Sequence, residues 1–136
     1  MTEVFKRQLD IDPGLADASG RLSYHDAFRA FMDIASRHAG MIGVGLNDMN
    51  GKSLFWLTVK TKVRFLKRPR IGDTVEVTTW PEAPEKIRGN RSYVITKDGE
   101  ELICGKTEWA VMNTETRRIA PMKGVYPEEL PFKTPS

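Results

Sequence analysis

Between Ser23 and Gly40 the apolar residues return every three to four positions. At about 100° per residue, Tyr24, Ala27, Phe28, Phe31, Ile34, Ala35, His38 and Ile42 share one arc, and His25, Asp26, Arg29, Asp33, Ser36 and Arg37 occupy the opposite one. The spacing predicts an amphipathic helix of roughly four to five turns. Ser23 suits its N-cap, because a hydroxyl accepts from the free N–H groups of the first turn, and Asp26 complements the positive helix end. Gly40 is positioned to take a left-handed cap conformation at the other end.

From Ser53 the period changes. "SLFWLTVKTKVRFL", "DTVEVTTW" and "IRGNRSYVITKDGEELICGKTEWAVMN" are rich in β-branched and aromatic residues with stretches of alternation, which predicts antiparallel strands. In "VKTKVRF" Val59, Val63 and Phe65 alternate with Lys60, Lys62 and Arg64, the pattern of a strand with one wet face. Ile71 to Asp73 and Lys97 to Glu100 read as hairpin connections, with Asp98-Gly99 the strongest turn signal. Val4 to Leu9 predicts a first short strand, and "DIDPGLADASG" a turn-rich loop leading to Ser23. The tail after Pro121 carries Pro127, Pro131 and Pro135 and is expected to be irregular, on the surface or frayed. One strand, one long helix and four or five further strands is an α+β order in which the helix buries its stripe on the sheet. A single helix covers only part of such a sheet, so oligomerisation is expected to cover the rest and protect its edges.

A chain of 136 residues with 40% hydrophobic content supports one core, hence one domain over 1–136 with an irregular tail from about 122. Lys and Arg number 21 against 18 Asp and Glu, and the two signs are interspersed, which argues against a nucleic-acid face. The single Cys104 excludes an intrachain disulfide and fits a reducing compartment. No apolar run is long enough to span a bilayer, and "MTEVFKRQLD" lacks the hydrophobic core of a signal peptide. The expectation is a cytoplasmic protein that engages neither membrane nor nucleic acid. Two histidines and one cysteine leave no plausible metal site.

Three stretches, "ASRHAGMIGVG" from Ala35, "LFWLTVKTKVRFLKRPRIGDTVEVTTWPEAPEKIRGNRSYVI" and "EWAVMNTETRRIAPM", resemble the hotdog-fold thioesterases, and within them the acyl-ACP thioesterases of fatty-acid synthesis. The ordered series Trp56, Pro69, Gly72-Asp73, Thr79-Trp80, Arg91, Trp109, Met112-Asn113 and Arg117-Arg118 carries the resemblance, over roughly residues 4 to 128. It implies a long central helix wrapped by a five- or six-stranded antiparallel sheet, hydrolysis of acyl-ACP or acyl-CoA thioesters, and no cofactor. The family joins two hotdog domains in one chain, and this sequence resembles the first, which carries much of the acyl-chain binding. The catalytic "D-x-N-x-H-V-N-N" type motif of the second has no counterpart here. In "DASGRLSY" Asp17 keeps the leading acid, but Ser19 and Arg21 stand where the Asn and His belong. A homodimer or homotetramer would supply a second copy in place of the missing half.

Thioester hydrolysis needs a carboxylate, as nucleophile or as base on water, and donors for the developing oxyanion. Helix-start N–H groups near Ser23 are such donors. Asp17 in "DASG" resembles the catalytic acid before the helix in single-domain hotdog thioesterases; the alternative is a turn Asp bonding its own backbone. Asp33 in "FMDIA" resembles the mid-helix acid of another hotdog branch; the alternative is an ion-pair ladder with Arg29 and Arg37. His38, on the apolar arc, is a base or a satisfied core residue. Ser23, Tyr24, Phe28, Phe31 and Trp56 are candidates for substrate binding, the aromatics as walls of an acyl tunnel or as core, with Trp80 and Trp109 as further aromatics of the same kind. Cys104, within a predicted strand, reads as packing. A non-catalytic acyl-binding module and a hydratase or dehydratase on the same scaffold remain the other readings.

Overall fold

The computed structural model describes residues 3–132. Strand β1 (Phe5–Asp10) leads through a short 3₁₀ turn at Pro13–Leu15 to helix α1 (Tyr24–Met41) and a brief helix α2 (Leu46–Asn50). Strands β2 (Leu54–Phe65), β3 (Thr74–Pro81), β4 (Gly89–Lys97), β5 (Glu100–Asn113) and the two-residue β6 (Ile119–Ala120) follow. The sheet is antiparallel in the order β1-β3-β4-β5-β2, with β6 pairing the end of β5. This six-stranded sheet around one long helix is the α+β arrangement expected of a hotdog fold.

Helix α1 starts as its sequence dictates: the Ser23 hydroxyl accepts from the Asp26 N–H at 3.0 Å and donates to the Asp26 carboxylate at 2.7 Å. Its far end differs from the expectation. Gly40 stays helical, and the left-handed residue is Gly43, with φ 79°. Ala27, Phe31, Ile34 and Ala35 bury their side chains against Val75, Val77, Tyr93, Ile95 and Ile103. One cross-strand row sets the register: Thr79 lies opposite Tyr93, Tyr93 opposite Gly105, and Gly105 opposite Val63. Because Gly105 has no side chain, Phe31 fits over that point of the sheet and stacks on Tyr93 with ring centres 4.8 Å apart.

Three expectations change. The Ile71–Asp73 turn does not join neighbouring strands, since β2 pairs with β5 while β3 lies between β1 and β4; it turns the chain at Gly72 (φ 94°) on a crossing between distant parts of the sheet. Asp98-Gly99 does close the β4–β5 hairpin, both residues having positive φ, as a twist-matched two-residue turn requires. Val59 does not share a face with Val63 and Phe65: the register slips by one residue between Thr58 and Lys60, and this bulge leaves Val59 46% exposed. The tail is irregular but not frayed over its described part, where Met122, Val125 and Leu130 are buried in a second apolar cluster with Ile42, Val44, Met49 and Val111. Pro135 lies outside the described residues.

A methyl group on residue 105 would lie 2.9 Å from Phe31 Cε2 and 3.2 Å from the Lys62 carbonyl oxygen. Gly105→Ala is expected to reduce the unfolding free energy by about 1–3 kcal/mol, the usual cost of overpacking. Gly40→Ala, which meets nothing within 4 Å in the helical last turn of α1, is expected to raise it by about 0.5–1 kcal/mol. Denaturant melts of the two variants check the opposite signs.

Candidate functional site

The second half of α1 presents Met32, Ala35, Ser36 and Ala39 along one stripe, at the three- and four-residue spacing that aligns helical side chains. Three of the four are small, and the volume they leave is not refilled from the sheet. A cavity of about 210 Å³ results, closed by Val44, Gly45, Leu46 and Met49 around the start of α2, Phe55 and Trp56 of β2, Arg91 of β4, Trp109 of β5, and Tyr126 of the tail. Leu46 and Phe55 are exposed and mark the mouth, whereas Val44, Met49 and Arg91 are buried and mark the floor. The Trp56 indole donates to the Val44 carbonyl at 2.9 Å, tying the α1–α2 connection to β2. The Gly45 N–H donates to the Asp48 carboxylate at 3.0 Å, which starts α2 and shapes the rim.

Arg91 is the charged member of this lining. Its Nη1 donates to Thr79 Oγ1 at 3.2 Å and lies 2.9 Å from His38 Nδ1. A guanidinium only donates, so His38 Nδ1 accepts and the imidazole is neutral, with its proton on Nε2. Burial pushes the Arg91 guanidinium below its ordinary pKa, against the opposing influence of the Tyr126 and Tyr93 phenols. Burial raises the Tyr126 phenol in turn, with the Arg91 charge pulling the other way.

Of the candidate site residues singled out from the sequence, Trp56 and Trp109 line the cavity, and Asp17, Ser23, Tyr24, Phe28, Phe31, Asp33 and His38 do not. Phe31 belongs to the main core, and Phe28 is half-buried on the same helix outside the lining. Ser23 and Tyr24 sit at the other end of α1, about 18 Å from Ser36 at 1.5 Å per residue. There Tyr24 packs edge-on to Phe65 and lies under the Arg68 guanidinium at 4.3 Å. His38 is buried beneath the floor, stacked on Phe5. Asp33 is 56% exposed and pairs with Arg37 at 2.9 Å and with Arg7 of β1 at 3.8 Å, on the side of α1 facing the edge opposite β2. Arg29 turns instead to Asp26.

Both carboxylate oxygens of Asp17 are engaged. Oδ1 accepts from the Ser19 hydroxyl and N–H at 2.5 and 2.9 Å, and Oδ2 from Arg68 at 2.5 Å. The Ser19 hydroxyl, then the Arg68 guanidinium, then the Ser19 N–H hold its carboxyl well below the usual carboxylate range. Arg68 also donates to the Leu22 carbonyl, so the pair clamps the loop before α1 to the segment after β2.

Sequence periodicity did not single out the floor and rim. Arg91 reads there only as part of a family-like series, α2 is too short to show a period, and Tyr126 lies among prolines. The signal present was the run of small residues on α1 beside the apolar arc.

A group whose folded pKa is depressed contributes stability above its unfolded pKa, about 3.9 for Asp, and loses it as pH falls toward the folded value. Asp17→Asn is therefore expected to lower the melting temperature at pH 7, and the gap from the unmodified protein is expected to narrow as pH is taken below 4. Melts at stepped pH check this; a gap independent of pH contradicts the clamp.

The family model of the acyl-ACP thioesterase N-terminal domain matches residues 2–129. The chain is 29% identical over 135 residues to a chloroplastic palmitoyl-acyl carrier protein thioesterase of Arabidopsis thaliana, covering 93% of this chain and 32% of that protein. It is 33% identical over 99 residues to a chloroplastic acyl-[acyl-carrier-protein] hydrolase of Cuphea viscosissima, covering 66% of this chain and 24% of that one. The chain thus spans a third or less of the length of these relatives. A crystal structure of an acyl-ACP thioesterase from Bacteroides thetaiotaomicron superposes with a TM-score of 0.83 at 23% identity, over all of this chain and 60% of that one, which shows the shared fold. A long helix wrapped by this sheet, matched along almost its whole length by one family model, places the chain in the acyl-ACP thioesterase family, in the part its members carry as the N-terminal domain.

Proposed function

We propose that this chain is the acyl-binding part of a thioester hydrolase, and that the fatty chain of an acyl-ACP or acyl-CoA lies in the cavity under the second half of α1. The observation that carries the reading is the lining itself, aliphatic and aromatic but for Ser36, Arg91 and the Tyr126 hydroxyl, the composition of a pocket for an apolar ligand with few polar groups. Trp56 is its wall. The reading needs no cofactor.

Hydrolysis needs an acid, and the cavity lining includes no carboxylate among the described residues. The attacking group in this reading comes from a second hotdog body along β2, an edge strand beside the exposed Leu46, Phe55 and Val59. Such unpaired strand edges and apolar patches favour a partner. In a homodimer or homotetramer that body is another copy, each copy forming one domain. Of the candidate acids, Asp33 is half exposed on the β1 side of α1, paired with Arg7 and Arg37, and reaches a cavity where the β1 side of one copy meets the β2 side of the next, whereas Asp17 is held on both oxygens. His38, with Nδ1 occupied by Arg91, serves as a support rather than a base. The lone Cys104 thiol is free, which suits a reducing cytoplasm, and among the described residues no helix is long and apolar enough to cross a membrane.

The lack of a carboxylate in the cavity favours a second reading, a module that binds acyl thioesters without cleaving them.

Release of free thiol from a panel of acyl-CoA and acyl-ACP thioesters separates the two. The hydrolase reading expects turnover, a loss of roughly 100-fold or more in kcat for Asp33→Asn, and near-full activity for Asp17→Asn in protein that remains folded. Ser36→Trp, a large side chain at the exposed rim, is expected to lower kcat/KM by about tenfold or more. Tight binding with no thiol release decides for the module; turnover untouched by Ser36→Trp removes the cavity from the account.

A further inference from the structure

An apolar cavity has no need of a cation at its floor. Arg91 is 4% exposed, and among the described residues no carboxylate lies within ion-pair distance of it. Among the described residues only Nη1 is engaged, by the neutral acceptors His38 Nδ1 and Thr79 Oγ1, which leaves the rest of the guanidinium fork to the cavity it lines. Burying an unpaired charge is costly, and the fork matches a planar carboxylate with two parallel hydrogen bonds. A plain methyl-ended chain entering tail first would bring its least polar atom to the most polar group of the lining.

Building on the acyl-chain reading of this cavity, we infer that it takes an aliphatic chain bearing a carboxylate, seated on Arg91 at the floor with the chain running past Met49 and Trp56 toward Leu46 and Phe55. Two sources present that chemistry: a free fatty acid entering head first, as a retained product, or an acyl thioester whose far end is carboxylated, entering tail first. His38 and Thr79 hold the guanidinium in place, so the ligand meets a preorganised fork.

Trp56 and Trp109 line the cavity, so intrinsic fluorescence reports its occupancy. Titration of the whole protein at pH 7.5 with decanoate, methyl decanoate, decanoyl-CoA and ω-carboxydecanoyl-CoA tests the inference. Decanoate is expected to bind roughly tenfold or more tightly than methyl decanoate if the free acid is the ligand; ω-carboxydecanoyl-CoA is expected to exceed decanoyl-CoA by a similar factor if the carboxylated thioester is. Arg91→Met is expected to abolish the preference and Arg91→Lys to keep part of it. If the methyl ester and unmodified thioester bind as well as their carboxylated counterparts, the inference fails while the acyl-binding reading stands. If none of the four perturbs the fluorescence, both fail. The comparison of ligands on the unmodified protein decides even where Arg91→Met does not fold.

Discussion

The seat of Phe31 over Gly105 is the contact on which the arrangement depends. An amphipathic helix can slide or rotate on a curved sheet at little cost unless one point of contact is specific, because dispersion and burial are non-directional. Gly105 leaves a hole in a row otherwise filled by Thr79, Tyr93 and Val63, and the Phe31 ring fills it while stacking on Tyr93. With Phe31 fixed there, the helical period determines the rest: Asp33 points to solvent, Ile34 and His38 point inward, and Met32, Ser36 and Ala39 line the cavity.

Chemistry follows from that geometry. The small residues on the second half of α1 leave a volume that β2, β5, α2 and the tail surround without filling. β4 runs beneath it, and alternation along β4 places Arg91 on the inner face two residues from Tyr93. Burial of Arg91 couples the cavity to His38 and Thr79, and through Thr79 to the Ser92 carbonyl. At the opposite end of α1, Asp17, Arg68 and Tyr24 form a separate polar cluster that ties loops together. The helix thus has an end tied into loops and an end that borders the cavity.

Much of the fold was legible in the chain. The Ser23 cap, the period of α1, the long strands and the Asp98-Gly99 hairpin are local features, set by residues within a few positions of one another. Less legible were features that need a distant partner. The helical wheel puts Phe28, Phe31 and Ala35 on one arc, but only Gly105, far along the chain, decides that Phe31 is core while Ala35 borders a cavity. Asp17 reads as a catalytic acid or as a turn Asp bonding its own backbone, and the Ser19 N–H does bond it; Arg68, 51 residues away, is invisible from the sequence. The strand order was hidden for the same reason: β2 and β3 are consecutive yet not adjacent, and a slip at Val59 reverses the phase that alternation suggests. The tail's prolines concealed Val125 and Tyr126, whose burial comes from packing and not from secondary structure.

The central claim is that an acyl chain lies along the second half of α1 and not at its Ser23 end. Photo-crosslinking with an acyl-CoA carrying a diazirine in mid-chain, followed by peptide mapping, tests it most directly. Labels are expected on Met32–Ala39, on Val44–Met49 or on Phe55 and Trp56. Labelling confined to the region from Ser23 to Phe28 would contradict the account.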